Sequence, residues 1–342
     1  MRILAVGDSF FPTGVFRRAL ERLESEHSVD YLQVDASRTP PDLPIREYEG
    51  DPAEIAAHMP GVDALVVHGA PVVDEVLAAS EALRLICCAR GGPVNVDLGA
   101  ASARGLPVVT TPGKNADSVA DQTLAFLVML ARRFPHAQRF LLDGHTVGES
   151  AFEGAQFFGH DLGGHTLGLV GYGNVGHRVA RRARAFDMEV VVFDPFLDAE
   201  TDGGVEQVGD LSELLARADF VSVHARATPE NENLFDRDAF ARMRPGAYFV
   251  NTARETLVDE DALDAALESG HLAGAALDVV HKRADSGPHP LLRHDNVVLT
   301  PHIGGATHET LLHGALMVAA EIERLAAGAP LVNVINRDAV GT

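Results

Sequence analysis

Short apolar segments alternate with stretches of helical periodicity along almost the whole chain. In the first third, the apolar segments that predict strands are residues 3–6, 31–34, 64–67, 85–88 and 107–109. The proline-rich segment 39–44 predicts a loop. Strands that alternate with helices in this way are typical of parallel βαβ units, so the pattern predicts an α/β fold.

A second series of strands and helices begins near His165 and ends at residues 297–300. The helix predicted at 118–133 is apolar on more than one face, so we expect it to be buried at a subunit or domain boundary and to support a homodimer. A last amphipathic helix, at about 307–325, is expected to return and cover the N-terminal unit.

The predicted fold class is therefore α/β, with two Rossmann- or flavodoxin-like domains, parallel sheets and an active site in the interdomain cleft. The small domain is discontinuous: we expect it at residues 1–112 and 302–342, and the second domain at 113–301.

Composition excludes several classes of protein. The 342 residues carry a formal net charge of −21, which argues against a nucleic-acid partner, since phosphate binding needs a basic surface. There is no uninterrupted apolar run long enough to span a membrane, and the N-terminal segment predicts a strand rather than a signal peptide. Cys87 and Cys88 are adjacent in an apolar run, which favours buried, reduced thiols and a cytoplasmic location.

The segment that best indicates a ligand is a glycine-rich loop between a predicted strand and a predicted helix. We expect Gly171 to make the tight turn, Gly173 to admit a pyrophosphate and Gly176 to let helix and strand approach closely. Asp194 ends the next strand, where a carboxylate accepts the ribose hydroxyls and repels a 2′-phosphate. The loop therefore predicts NAD as the cofactor and 113–301 as its binding domain, with contacts from Gly171, Tyr172, Gly173, Asn174, Val175, Gly176 and Asp194.

Further blocks, in order along the chain, resemble the D-isomer-specific 2-hydroxyacid dehydrogenase family, which includes phosphoglycerate, glyoxylate and D-lactate dehydrogenases. They lie at residues 94–97, 118–121, 250–254, 276–279 and 300–305. The resemblance implies an NAD-dependent oxidoreductase that interconverts a 2-oxo acid and a D-2-hydroxy acid, with a dianionic or sugar-acid-type substrate. Because the chain ends soon after its last helix, we expect it to lack the regulatory domain of some phosphoglycerate dehydrogenases.

The resemblance also implies roles for single residues. Arg254 matches the arginine that grips the substrate carboxylate, and His302 matches the acid–base histidine. The loop Arg90-Gly91-Gly92 matches a substrate-binding loop of the small domain; for Arg90, an anion contact and a solvent-facing position are both open. The further cofactor contacts that the resemblance implies are His224, Thr228, Thr252, Ala253, Asp278, His302 and Gly304.

The sequence departs from the family at one catalytic position: Arg283 stands where a glutamate is usual. Three alternatives follow. His302 works alone or is oriented by Asp285; Arg283 binds a second anionic group of the substrate; or catalysis is lost and the chain is an NAD-binding sensor or scaffold protein.

Other departures are milder. Glu255 replaces a glycine, Arg226 a proline, and Asp121-Gln122 the usual Glu-His. The many histidines near the C-terminus match no metal spacing, so no metal site is predicted.

Overall fold

The computed structural model describes residues 1–146, 148, 151–197, 205–283 and 287–341. The chain divides into two compact units. Unit 1 comprises Met1–Asn115 and Ala306–Thr342, and unit 2 comprises Ala116–Gly305. The boundaries expected from the sequence, at residues 112 and 302, lie a few residues before these.

Both units are built from parallel strands and helices. The strands are β1 (Arg2–Gly7), β2 (Ser28–Gln33), β3 (Ala64–Val67), β4 (Leu85–Cys88), β5 (Val108–Val109), β6 (Thr166–Val170), β7 (Glu189–Phe193), β8 (Glu206–Gln207), β9 (Phe220–Val223), β10 (Ala247–Asn251), β11 (Leu272–Leu277) and β12 (Val297–Leu299). The α-helices are α1 (Thr13–Leu20), α2 (Pro52–His58), α3 (Asp74–Ala78), α4 (Leu98–Ala103), α5 (Ala116–Ala131), α6 (Phe134–Leu142), α7 (Gly176–Ala185), α8 (Leu211–Arg217), α9 (Arg237–Arg242), α10 (Glu260–Glu268), α11 (His308–Ala326) and α12 (Arg337–Val340).

Unit 1 has a five-stranded sheet with the order β2-β1-β3-β4-β5, which is the flavodoxin-like order. All its strand pairs are parallel. The last long helix, α11, packs against α1 and β4, and its buried residues Ala315, Val318 and Ile322 belong to the same core cluster as Cys87. The N-terminal strands thus obtain a covering helix from the C-terminal end of the chain, as the amphipathic pattern at 307–325 led us to expect.

Unit 2 has a seven-stranded parallel sheet with the order β12-β11-β10-β9-β6-β7-β8. From β6 the chain adds β7 and β8 on one side of the sheet and then crosses to add β9 on the other side of β6. Open α/β sheets bind ligands beyond the strand ends at such a point, where the order of strand addition reverses. Helix α5 is buried by unit 2 itself, because it packs against α7, β10, β11 and β12. Its apolar residues therefore form part of the core of unit 2, and the expectation of a subunit or domain boundary at this helix stays a prediction.

No helix in the described part of the chain is both long enough and apolar enough to cross a membrane.

Candidate active site

The glycine-rich loop of unit 2 connects β6 to α7. Gly171 has a φ of +98°, and a Cβ there would lie 2.6 Å from the backbone nitrogen of Ala225. A Cβ on Gly176 would lie 2.2 Å from the carbonyl oxygen of Gly171, whereas a Cβ on Gly173 would meet nothing within 4 Å. Two of the glycines are therefore required by the fold, and the third leaves the start of α7 open to a phosphate group.

Asp194 lies directly after β7, beside this loop. One carboxylate oxygen accepts the backbone N–H of Tyr172 at 2.8 Å, and the other accepts that of Phe196 at 2.9 Å. Each oxygen keeps a lone pair that these bonds do not use, and the side chain is half-buried. The open loop and this carboxylate together fit the pyrophosphate and ribose of a dinucleotide.

His224 follows β9 on the neighbouring strand. Its Nε2 lies 2.9 Å from the hydroxyl of Ser222, and burial lowers the pKa of His224 to about 3. The ring is therefore neutral at physiological pH and offers a hydrogen bond without charge. Thr228 is exposed and caps the short turn that follows. Arg226 is also exposed, and its carbonyl oxygen accepts a hydrogen bond from the side-chain amide of Asn231.

Arg254 lies on the turn that follows β10, and a buried asparagine shapes this turn. Asn251 donates from its side-chain amide to the carbonyl of Arg254 at 2.9 Å and accepts the N–H of Ala253 at 2.9 Å. The hydroxyl of Thr252 lies 3.1 Å from that of Thr123 on α5. These bonds fix the backbone, while the exposed guanidinium of Arg254 donates to the neighbouring carbonyl of Ala253 at 2.6 Å.

His302 lies in a tight turn after β12 and has a φ of +57°, which is uncommon for a residue with a side chain. Its backbone N–H donates to the carbonyl oxygens of Asp278 and Thr300, at 2.8 and 3.0 Å. The carboxylate of Asp278, only 2% exposed, accepts the N–H groups of Ile303 and Gly304, both at 2.8 Å. A strained conformation of this kind persists only where the surroundings enforce it, and here Asp278 does so. The imidazole itself is exposed.

Two further side chains hold this turn in place, and the sequence predicted no role for either of them. Thr300 donates its hydroxyl to Asp278 at 2.5 Å. Gln122, on α5, donates its amide to Asp278 at 3.0 Å and to the hydroxyl oxygen of Thr300 at 2.9 Å. A Cβ on Gly304 would lie 2.9 Å from both Asp278 Oδ2 and Gln122 Oε1, so a side chain there would displace these two groups. Gln122 was visible in the sequence as a departure from Glu-His, but its contact partners were not.

The substrate loop predicted in unit 1 follows β4. A Cβ on Gly91 or Gly92 would meet nothing within 4 Å, so the backbone there is open. The side chain of Arg90 contacts the protein: it donates to the carbonyl of Glu47 at 3.1 Å and forms an ion pair with the Glu47 carboxylate. A partner 43 positions away in the chain leaves no signal in local sequence.

Two charged residues of unit 1 were not singled out from the sequence. Asp8 follows β1, and Lys114 follows β5. The Asp8 carboxylate lies 3.0 Å from Nδ1 of His68, within hydrogen-bond distance. The position of Asp8 directly after a strand, like that of Asp194, was the signal that could have found it.

Arg283 is exposed and lies at the end of a described segment, whereas Asp285, the residue proposed to orient His302, lies outside the described residues. Glu255 begins a short 3₁₀ turn after Arg254 and is half-buried. The described ranges contain no group of three His, Cys, Asp or Glu side chains that could hold a metal ion.

Residues 124–304, more than half of the chain, match the sequence model for the NAD binding domain of D-isomer specific 2-hydroxyacid dehydrogenases. The chain belongs to this family. Unit 2 is therefore its NAD-binding domain, which agrees with the glycine loop and Asp194, and NAD is the cofactor.

The chain is similar to phosphoglycerate dehydrogenases and to a glyoxylate reductase. The chain is 37% identical to the D-3-phosphoglycerate dehydrogenase of Archaeoglobus fulgidus over 91% of this chain and 58% of that protein. It is 35% identical to the glyoxylate reductase of Korarchaeum cryptofilum over 94% of both. The crystal structure of the TT0316 protein from Thermus thermophilus shares 34% identity and a TM-score of 0.75, over 98% of this chain and 100% of that one. The chain thus spans little more than half the length of the phosphoglycerate dehydrogenases that it matches.

Proposed function

We propose that this chain is an NAD-dependent dehydrogenase that interconverts a 2-oxo acid and a D-2-hydroxy acid. The observation that carries the proposal is the turn at His302. His302 has a positive φ, and the buried carboxylate of Asp278 stabilises the turn through hydrogen bonds to the next two N–H groups. The turn presents an exposed imidazole at the carboxyl end of β12. A positive φ at a residue with a side chain costs free energy, and its presence in a family of dehydrogenases supports a catalytic role for the ring.

In this mechanism His302 provides the proton. When bound, NADH would supply the hydride that C2 of the oxo acid accepts. Reduction of a ketone leaves an alkoxide, and a protonated imidazole donates to it near neutral pH. The reverse reaction uses the neutral imidazole as the base. Gln122 and Thr300 act through Asp278 and keep the turn in place.

Arg254 holds the substrate carboxylate. Its guanidinium stays charged at any working pH and matches a carboxylate with two parallel hydrogen bonds. Its only described hydrogen bond, to the carbonyl of Ala253, uses one of five N–H groups, so the others are available to the substrate. The open backbone at Gly91 and Gly92 is proposed to donate N–H groups to the substrate as well.

Several residues of unit 2 are proposed to contact NAD. The loop 171–176 receives the pyrophosphate and Asp194 the adenine-side ribose, for which its two unused lone pairs are suited. The residues proposed beyond this loop are His224, Thr228, Thr252, Ala253, Asp278 and Gly304. Asp194→Ala should weaken NADH binding and bring the Kd values for NADH and NADPH closer together, as measured by fluorescence titration.

We further propose that the enzyme is a cytoplasmic homodimer. Helix α6 has no buried residue, and Leu141 and Leu142 are 62% and 73% exposed; Phe158, also in unit 2, is 79% exposed. Apolar side chains exposed to this degree indicate a partner surface. The thiols of Cys87 and Cys88 are both free and buried, which is consistent with a reducing compartment. Leu142→Arg should shift the sedimentation coefficient to that of a monomer.

The test of the activity is NADH oxidation with a panel of 2-oxo acids, followed by chiral analysis of the product. We expect turnover of at least one acid and a D-configured product. NADH binding without turnover of any acid would instead favour the sensor or scaffold alternative. Turnover that is confined to dianions and lost in Arg283→Ala would support Arg283 as the contact for a second anionic group.

A further inference from the structure

Four charged or titratable side chains lie at the strand ends of unit 1, and we name Asp8, His68, Arg90 and Lys114 the strand-end cluster. Asp8 and His68 directly follow β1 and β3, and Arg90 lies just beyond β4. These three strands are neighbours in the sheet, so their carboxyl ends meet at one edge. The cluster therefore occupies the place where an open α/β sheet binds its ligand.

Asp8 determines which nitrogen of His68 carries a hydrogen. The Asp8 carboxylate, 2% exposed, accepts the backbone N–H groups of Phe10, Phe11 and Gly69 at 2.9, 2.7 and 2.6 Å. Burial opposes ionisation of Asp8, but the hydrogen bonds from His68 and from these backbone groups hold its pKa below the usual value. An ionised carboxylate only accepts, so Nδ1 of His68, 3.0 Å away, is the donor.

The other nitrogen of His68 is left as an acceptor. Burial lowers the pKa of His68; Asp8 partly offsets this effect, and the charges of Lys114 and Arg90 add to it. The ring is therefore neutral near pH 7, with a lone pair on Nε2. Nε2 has no hydrogen-bond partner among the described residues. The ring stacks on Phe10 and Phe11, with centroids 5.4 and 5.0 Å away, so its orientation is fixed.

Lys114 provides donors against the same aromatic ring that His68 contacts. Its ammonium donates to the carbonyl of Ala89 at 2.6 Å and lies 5.3 Å from the ring centroid of Phe11, which His68 also contacts. The two remaining N–H groups have no partner in the part of the chain that the structure describes. Burial lowers the pKa of Lys114 to about 8. A Cβ on Gly314 would lie 2.8 Å from Cδ of Lys114, so a glycine on α11 makes room for the lysine stem.

The charges of the cluster balance once Glu47, the ion-pair partner of Arg90, is included. The Asp8 carboxylate offsets the Lys114 ammonium, the Glu47 carboxylate pairs with Arg90, and His68 is neutral. There is thus no excess positive charge to compensate a second carboxylate or a phosphate. An acceptor and ammonium donors that contact the same Phe11 ring match a hydroxyl group, which donates one hydrogen bond and accepts others.

We propose that the strand-end cluster binds a hydroxyl group of the substrate through His68 Nε2 and Lys114 Nζ. The substrate class is then a hydroxylated, sugar-acid-type 2-oxo acid with a single negative charge, and a dianion is disfavoured. This inference rests on the proposed function.

The first test compares oxo acids that differ only at C3: pyruvate with a hydrogen, hydroxypyruvate with a hydroxyl and oxaloacetate with a carboxylate. A site built to bind a hydroxyl discriminates against an analogue without it, so we expect kcat/KM for hydroxypyruvate to exceed that for pyruvate by about 10²-fold or more. His68→Leu and Lys114→Met should lower kcat/KM for hydroxypyruvate much more than for pyruvate. Lys282→Met is the matched control, because Lys282 is the only other lysine of the chain and is exposed.

Three kinetic results would overturn the inference: a preference for oxaloacetate or for phosphohydroxypyruvate, no preference between pyruvate and hydroxypyruvate, or equal losses for both in the two variants. His68→Gln, which keeps a polar side chain of similar length, serves if the leucine variant does not fold. It should retain part of the preference.

The second test needs no turnover and uses the two lysines of the chain. Reductive methylation of the NADH complex at about pH 8, near the Lys114 pKa, is followed at each lysine by mass spectrometry. D-Glycerate should slow modification of Lys114 by about tenfold relative to Lys282, since it adds hydrogen bonds to a charged group, and D-lactate should not. Equal or stronger protection by D-malate, a dianion, would overturn the inference.

The two tests separate the inference from the proposed function. Protection by D-glycerate without turnover of any oxo acid would contradict the dehydrogenase proposal but support the hydroxyl site. Turnover without hydroxyl preference and without protection would support the dehydrogenase and overturn the site.

Discussion

Asp8 in unit 1 and Asp278 in unit 2 are both 2% exposed, both follow a strand, and both oxygens of each accept hydrogen bonds. They differ in how they act on a histidine. Asp8 binds the imidazole of His68 directly and fixes its tautomer. Asp278 binds the backbone after His302 and leaves that imidazole without a carboxylate partner among the described residues. The same buried anion therefore orients a ring in one unit and a turn in the other, which suits a fixed acceptor and a proton donor, respectively.

The largest expected effect separates the two histidines. His302→Ala should lower kcat by about 10³-fold, the usual contribution of a general acid or base, without weakening NADH binding. His68→Ala removes the proposed contact with the substrate hydroxyl and should raise KM for hydroxypyruvate more than it lowers kcat. Steady-state kinetics and NADH titration check both. Near-normal turnover by His302→Ala would remove the functional difference between the two histidines.

The two carboxylates can be neutralised in the same way. Asp278→Asn and Asp8→Asn each place an amide among backbone N–H donors, and each should cost about 2–3 kcal/mol of stability because charge-assisted hydrogen bonds are lost. Only Asp278→Asn should also lower kcat for pyruvate strongly, because the turn that carries His302 relaxes. Thermal unfolding and kinetics on the same samples measure both effects. An equal loss of kcat in the two variants would mean that the carboxylates act alike.

The buried histidines predict a dependence of stability on pH. The pKa of His68 is lowered on folding, and burial lowers that of His224 to about 3, so the folded protein binds these protons less readily than the unfolded chain. Their contribution is complete above about pH 6.5 and is lost as the pH falls towards the folded values, by at most about 1.4 kcal/mol per pH unit each. His68→Gln and His224→Gln should each flatten the fall of the melting temperature between about pH 6.5 and 5. An unchanged slope in both variants would contradict the prediction.

The smallest effect concerns Gln122. Gln122→Leu removes the amide hydrogen bonds to Asp278 and Thr300 and should lower kcat by about tenfold, the equivalent of one or two net hydrogen bonds. Gln122→His restores the family residue and a donor, so it should recover part of the loss. The pH profile of kcat should shift in the leucine variant, since the turn at His302 moves relative to its partners. A loss of stability with an unchanged kcat and pH profile would indicate a structural role only.

Much of the fold follows from local sequence. The apolar segments at 64–67 and 85–88 coincide with β3 and β4, because a strand buried on both faces is apolar throughout. The glycine loop can also be predicted from the sequence. The positive φ at Gly171 and the close approach of the backbone at Gly176 exclude other residues. Asp194 could be placed because it directly follows a strand.

The contacts that give the site its chemistry depended on the tertiary structure. Arg90 is paired with Glu47, and Gln122 on α5 reaches Asp278, a residue 156 positions further along the chain. The apolar pattern of α5 indicated that the helix is buried, but it did not indicate which elements cover it. In the structure, the sheet of unit 2 and α7 cover it. Sequence periodicity determines which residues face a core. Which polar side chains meet depends on the order of strands in the sheet, because that order brings distant parts of the chain to one edge.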